Sequence, residues 1–141
     1  MNYSRRDLSL IPLAALAAAN ASAADMKLPS KTWRFEDLAV KTSGQNQSRA
    51  VLDGETHSGF HIDMHITELG PGQAPHPPHH HVHEEMVMVF DGELEVTISG
   101  HSSKIGPGST AYVASNEEHG WRNTGTTRAS YFVLAMGREK S

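Results

Sequence analysis

From residue 60 onward, alternating or continuously apolar runs of strand length recur: Phe60 to Leu69, Glu85 to Phe90, Glu93 to Ser99, Ser109 to Val113 and Ala129 to Met136. No helical period competes, so each run predicts a strand. In the third run Leu94, Val96 and Ile98 share one face while Glu93, Glu95 and Thr97 share the other, so one side is expected to be buried. In the first run His61, Asp63 and His65 alternate with Ile62, Met64 and Ile66. The polar set is expected to face solvent; if that face turns inward instead, it extends a polar pocket. Asp53-Gly54 and Asp91-Gly92 have the chemistry of two-residue hairpin loops, where glycine accepts a positive φ at little cost. Many short strands with tight turns predict an all-β sandwich or barrel. No internal repeat occurs, and no linker follows residue 30.

Ahead of these runs the chain changes character. Lys27 to Ser48 is polar, but Trp33 and Phe35 lie two apart and would fall on one side of an edge strand, a segment that either pairs with another chain or covers its own barrel. Before it, Ser4-Arg5-Arg6-Asp7-Leu8 leads into the apolar run Leu10 to Ala19 and then Ala21-Ser22-Ala23. A charged start, a short apolar stretch and small residues at a cleavage point predict an export signal over residues 1–23, and the paired arginines are similar to the twin-arginine type. The run is too short to span a bilayer. Export to the bacterial periplasm is the expectation, with an N-terminal arm and edge strands over 24–59 and the barrel core over 60–141.

Composition narrows the function classes. Of 141 residues ten are histidine and none is cysteine, which excludes disulfides, thiolate ligands and a cysteine nucleophile. A formal net charge of −4 gives the chain little with which to hold nucleic acid.

The histidines cluster in His79-His80-His81-Val82-His83-Glu84-Glu85, with His119 further on. Three imidazoles and one carboxylate, from His79, His81, His119 and Glu85, suit one divalent metal ion. On a strand His79 and His81 aim at one point while His80 looks the other way. Six residues of straight strand would carry Glu85 roughly 20 Å from His79, so a bend is required near Val82-His83-Glu84, and His119 must arrive from another strand.

The residues around these ligands form a pattern. Gly70-Pro71-Gly72 precedes the histidines, and Glu85 is followed after six residues by Gly92. This resembles the first cupin motif: glycine, His-x-His, three residues, glutamate, six residues, glycine. From Gly108 the spacing runs through Ala114, Asn116, His119 and Asn123, which resembles the second cupin motif. Two positions depart, because the family usually has proline where Ala114 stands and glycine where Asn116 stands; both shape the turn before His119. The resemblance implies a single cupin barrel, a jelly-roll-like double-stranded β-helix. It also implies a homodimer formed through N-terminal strands.

The remaining candidates are weaker. His76 and His83 are expected in solvent more than around the ligands, and His80 and His101 are not needed by the pattern. Trp121 and Asn123 share parity with His119 and should flank it, with Trp121 as a pocket wall; Tyr112, Arg49 and Tyr131 are candidate substrate contacts. Four protein ligands leave a coordination position open for catalysis if the ion takes five or six. The sulfur-free donor set suits manganese, iron, nickel, copper or zinc. Folding before twin-arginine export would load the ion in the cytoplasm, favouring iron(II) or manganese(II). Two classes of function follow: a metal-dependent enzyme, dioxygenase or isomerase, acting on a small oxygenated molecule such as a sugar acid or diketone, or a module that binds a small molecule or metal without turnover. Fold cannot decide between them. A general base at the open position would, and Glu84, Glu117 and Glu118 are the carboxylates nearest the motifs in sequence.

Overall fold

The computed structural model describes residues 27–137; the export segment expected over 1–23 lies outside the described residues. The alternating runs fold as strands: β3 (His61–Leu69), β4 (Glu84–Asp91), β5 (Leu94–Ile98), β7 (Thr110–Val113) and β9 (Ala129–Gly137). Four more join them: β1 (Lys41–Ser43), β2 (Asn46–Glu55), β6 (His101–Ile105) and β8 (His119–Asn123). Apart from β8, whose existence follows from the need to deliver His119, these carry little apolar periodicity. The residues of β6 are polar or charged up to Ile105 and almost wholly exposed, because β6 is a sheet edge and buries only its backbone contacts with β5.

Two antiparallel sheets result, ordered β1-β2-β3-β9-β4-β7 and β6-β5-β8. They face each other as the walls of a barrel, the expected all-β cupin-like architecture. Leu69 from β3, Val87 and Val89 from β4, Leu94 and Val96 from β5, Trp121 from β8, and Ala129, Tyr131 and Val133 from β9 form the core. Glu95 and Thr97 take the other face of β5, as alternation requires.

Four expectations need correction. Asp53 and Gly54 do not turn: they lie within β2, opposite Asp63 and Ile62. Gly54 is needed for space, since a Cβ there would sit 2.9 Å from Leu28 Cδ2; the turn itself falls at Thr56–Phe60, closed by Thr56 N–H to Phe60 O at 2.7 Å. Asp91-Gly92 turns, but not as a hairpin. It carries the chain from one sheet to the other, β4 pairing with β7 and β9 while β5 pairs with β6 and β8.

The third correction concerns faces. Cross-strand partners share a face, and Thr67 and Leu69 stand opposite the core residues Tyr131 and Ala129; His61, Asp63 and His65 share their parity and therefore face the barrel interior, not outward. Ile62, Met64 and Ile66 look outward. The N-terminal arm covers the last two: Trp33, Phe35 and Leu38 line a shared apolar cleft with Val51, Met64, Ile66, Phe90 and Phe132. Trp33 and Phe35 do not lie on a strand, because Phe35–Asp37 forms a 3-10 turn in which Arg34 pairs with Glu36. The arm thus covers its own barrel.

Candidate metal centre

The segment Gly70 to His83 crosses the mouth of the barrel without forming a strand, yet the start of β8 holds it. His79 N–H donates to His119 O at 3.0 Å and His119 N–H to His79 O at 2.8 Å. A further bond from Asn116 N–H to His81 O, 2.8 Å, fixes the next residue but one. The chain then bends at Val82-His83, where the distance argument required it, and enters β4 with Glu85 buried.

This path brings three imidazoles together. Ring centroids are 5.1 Å apart for His79–His81, 4.8 Å for His79–His119 and 4.7 Å for His81–His119, and one nitrogen from each lies within 4.8 Å of the others. Glu85 closes the set, its Oε2 lying 3.1 Å from His119 Nε2 and 3.5 Å from His81 Nε2. His80 is exposed.

Hydrogen bonding decides which atoms are free to bind. His119 Nδ1–H donates to Glu117 O and His81 Nδ1–H donates to His83 O, both at 2.8 Å. With Nδ1 protonated, a neutral ring presents a lone pair at Nε2. Two such lone pairs therefore point toward a carboxylate oxygen, an arrangement that is repulsive unless a cation or proton sits among them. His81 Nε2 and His79 Nδ1 are buried without any hydrogen-bond partner. Buried polar atoms are rarely left so, and a metal ion is the partner that an imidazole lone pair accepts. The donor set fits a divalent ion of the transition series.

Burial, then repulsion from His76 and His119, holds the His79 pKa below the ordinary histidine value, which keeps that ring neutral and able to donate its lone pair. His83 is lowered in the same way by burial and by His81. It was expected in solvent; instead its ring stacks on His81 at 3.5 Å, and with His81 and Glu85 it forms a second, overlapping donor group. Its spacing of two from both His81 and Glu85 is the signal that could have placed it with them. His76 is exposed, edge-on to His79 at 4.2 Å.

The candidate pocket residues separate. Trp121 flanks the site, its ring stacked 5.5 Å from that of His119, while its indole N–H donates to Tyr131 Oη at 2.8 Å. Tyr131 is wholly interior, and burial raises its pKa so that it stays a phenol. Arg49 stands opposite Ile66 on the outer face, pairs with Glu68 and lies 4.3 Å from the Phe35 ring centre. Tyr112 is opposite Met86, also outside, bonded to Glu84. Neither is brought to the histidines. Both were proposed from side-chain chemistry alone, and strand parity places them on the wrong face.

Asn116 adopts φ 62°, a left-handed conformation that asparagine tolerates better than most residues, so the turn usually built with glycine keeps its path. Asn123, fully buried, donates through Nδ2 to Leu69 O, Gly70 O and Thr127 O and accepts from Gly125 N–H. It ties β8 to the segment that leads into the histidines.

Fold and site together define a small antiparallel β-barrel with a three-histidine, one-glutamate centre at its mouth. The cupin domain family model matches residues 65–135, and the chain belongs to that family. Solved structures agree on the fold. A predicted oxalate decarboxylase from Thermotoga maritima is 20% identical with a TM-score of 0.67, the match covering 76% of this chain and 99% of that one. An RmlC-like cupin from Shewanella frigidimarina is 17% identical with a TM-score of 0.65, covering 79% and 95%. A recombinant oxalate oxidase in complex with glycolate is 26% identical with a TM-score of 0.59, covering 71% and 55%. Among curated proteins, none matches.

Proposed function

We propose that this chain is an exported, metal-dependent enzyme of the dioxygenase or isomerase type, acting on a small oxygenated molecule that chelates through carboxylate, enol or hydroxyl oxygens. The observation that carries this reading is the pair of Nδ1-locked imidazoles, His81 and His119, whose free Nε2 atoms converge on the Glu85 carboxylate beside the orphaned Nδ1 of His79. A glycolate complex among the structural relatives supports a small oxygen chelator as the ligand.

In this reading His79, His81, His119 and Glu85 hold one ion, and His83 stands beside Glu85 as a reserve donor. The ion, when bound, polarises a chelated oxygen as a Lewis acid. The carbonyls of His83 and Glu117 fix the tautomers of the two rings that need fixing. Trp121 walls one side of the centre. Iron(II) or manganese(II) is the proposed ion, on the argument that twin-arginine export carries a folded, already loaded protein.

The same protein is proposed to work as a homodimer in the periplasm. Phe90 on β4 and Phe35 and Val40 on the arm are each about half exposed around the outer apolar face, a surface that a second copy would cover.

The test is elemental analysis of untagged protein recovered from its native host, followed by dioxygen-uptake and product assays against sugar acids, diketones and catechol-like compounds. Turnover that falls in proportion to metal removed is the expected result. Ligand returned unchanged, under air and under argon, would leave a binding module.

A further inference from the structure

The inward turn of β3 puts a second set of ionisable groups on the barrel interior. Asp63 and Glu85 share a row across the sheet, since each stands opposite Ala135 of β9. Two strand spacings separate them, about 10 Å. The residue between is an alanine, and the next inward position toward the mouth is Gly137. With small side chains at both, and with the inward-facing side chains of His65 and Asp63 still 36% and 45% exposed, a hollow open to solvent lies between the histidine cluster and β3.

Two histidines border this hollow, each with a carboxylate partner. His65 Nδ1–H donates to Asp63 Oδ1 at 3.0 Å, which leaves the lone pair on Nε2, the nitrogen farther from the backbone. His61 is tied the other way: its Nε2 meets Asp53 Oδ1 at 2.8 Å, so its outer nitrogen is already engaged. The side chain of His65 is 36% exposed, whereas Val133 opposite it and Val87 one strand further are buried. His65 therefore has open space before it.

We infer that His65, oriented by Asp63, is the general base of this site, and that its substrate is a 2-oxo acid held at the histidine cluster and losing a proton from C3. The inference rests on the reading of the cluster as a chelating centre. His65 Nε2 takes the C3 proton; the C–H electron pair moves into the C2–C3 bond and the carbonyl pair onto its oxygen, which faces the cluster. Return of the proton from the imidazolium to carbon restores the acid, and its return to oxygen completes the tautomer, so no oxidant or other reactant is consumed. Asp63 keeps the ring in the productive tautomer and accepts the second N–H throughout. The other ionisable groups on this face are His61 of β3, Asp53 and Glu55 of β2, the last paired with Lys27, and Glu85 of β4.

The experiment follows deuterium exchange at C3 of 2-oxobutyrate and 2-oxoglutarate by proton NMR, using full-length zinc-loaded protein. Wild type is expected to exchange with saturation. His65→Asn should lower the maximal rate about 100-fold with KM and zinc content unchanged. Imidazole in solution should partly rescue His65→Ala. Asp63→Asn should lower the rate about 10-fold, and Ala135→Leu, which fills the hollow, should raise KM instead. Independently of turnover, the His65 ring resonance should shift on adding either acid to wild type and not to Ala135→Leu. Zinc retained with no exchange in wild type, or His65→Asn exchanging at the wild-type rate, would overturn the inference alone; failure of wild type to retain zinc would overturn the chelating centre as well.

Discussion

Asn123→Ala removes the clamp between β8 and the histidine segment, and its cost can be worked from the contacts. Nδ2 serves three carbonyls, at 3.0 Å for Leu69, 3.1 Å for Gly70 and 2.7 Å for Thr127, and Oδ1 serves Gly125 N–H at 2.9 Å. Thr127 is exposed, so its carbonyl regains water. Gly70 O keeps its bond from Gln73 N–H. Leu69 O, wholly buried, and Gly125 N–H, half-buried, have least to gain from solvent. With two groups stranded at 1–3 kcal/mol each and two bonds merely lost at about 1 kcal/mol each, the substitution should cost about 4 kcal/mol or more. For a domain of this size that lowers Tm by roughly 16 °C or more. Calorimetry on metal-free wild type and variant is the assay, so that ion binding does not add to either value. Asn123→Asp should be at least as damaging, because it keeps the oxygen for Gly125 and turns a second oxygen on three carbonyls. A loss below about 1 kcal/mol for Asn123→Ala, or an Asp variant as stable as wild type, would refute the clamp.

Metal titration should separate neighbours: His81→Ala should lose tight binding while His80→Ala, an exposed side chain, should bind as wild type, and equal impairment would mean that the faces are misassigned. Gly92→Ala should fail to accumulate as folded protein, since its φ is 75° and a Cβ would lie 2.7 Å from both Ala129 Cα and Arg128 O; a soluble variant melting near wild type would contradict that geometry. Because the His79 and His83 pKa values are lowered in the folded state, by burial first, the unfolded chain binds more protons just below the ordinary histidine value of about 6.5. Metal-free protein should therefore lose stability as pH falls from 7 toward 5, and a His79→Gln, His83→Gln double variant should show a flatter slope in that window. Changing Arg5 and Arg6 together to lysine should strand the precursor in the cytoplasm; undiminished periplasmic recovery would point to the general secretory route and remove the argument for cytoplasmic loading.

Most strands were legible because burial on one side writes a period of two into the sequence, as in Leu94, Val96 and Ile98. β6 was not, because His101 to Lys104 are exposed on both faces and only backbone pairing keeps them extended. Asp53-Gly54 misled for a different reason. Glycine marks a turn when it supplies a positive φ, as Gly92 does, but it also marks a close approach, and the side chain of Leu28 that demands Gly54 is distant in sequence. The ligands were readable from spacing because metal chemistry restricts residue type. His83 was passed over although it shares the parity of His81 and Glu85, because the ligand pattern is complete without it.

Strand β3 shows why the pocket wall was harder to read than the metal centre. Alternation tells which residues share a face but not which face is inside, and the usual rule assigns the apolar face inward. Here both faces meet protein. Met64 and Ile66 are covered from outside by Trp33, Phe35 and Leu38 of the arm, which frees the inner face to carry His61, Asp63 and His65. An arm that supplies an outer hydrophobic layer thus allows a strand to spend its interior positions on chemistry instead of on core packing. Removing that cover has a consequence that follows directly. Trp33→Ala with Phe35→Ala should destabilise the barrel, and should also loosen β3 and with it the Asp63–His65 pair, while leaving His79, His81 and His119 held by the backbone bonds of β8. Hydrogen exchange of the metal-loaded double variant should then show protection lost at β2 and β3 and kept at β8; uniform loss across both sheets would mean that the arm supports the whole barrel and not this wall.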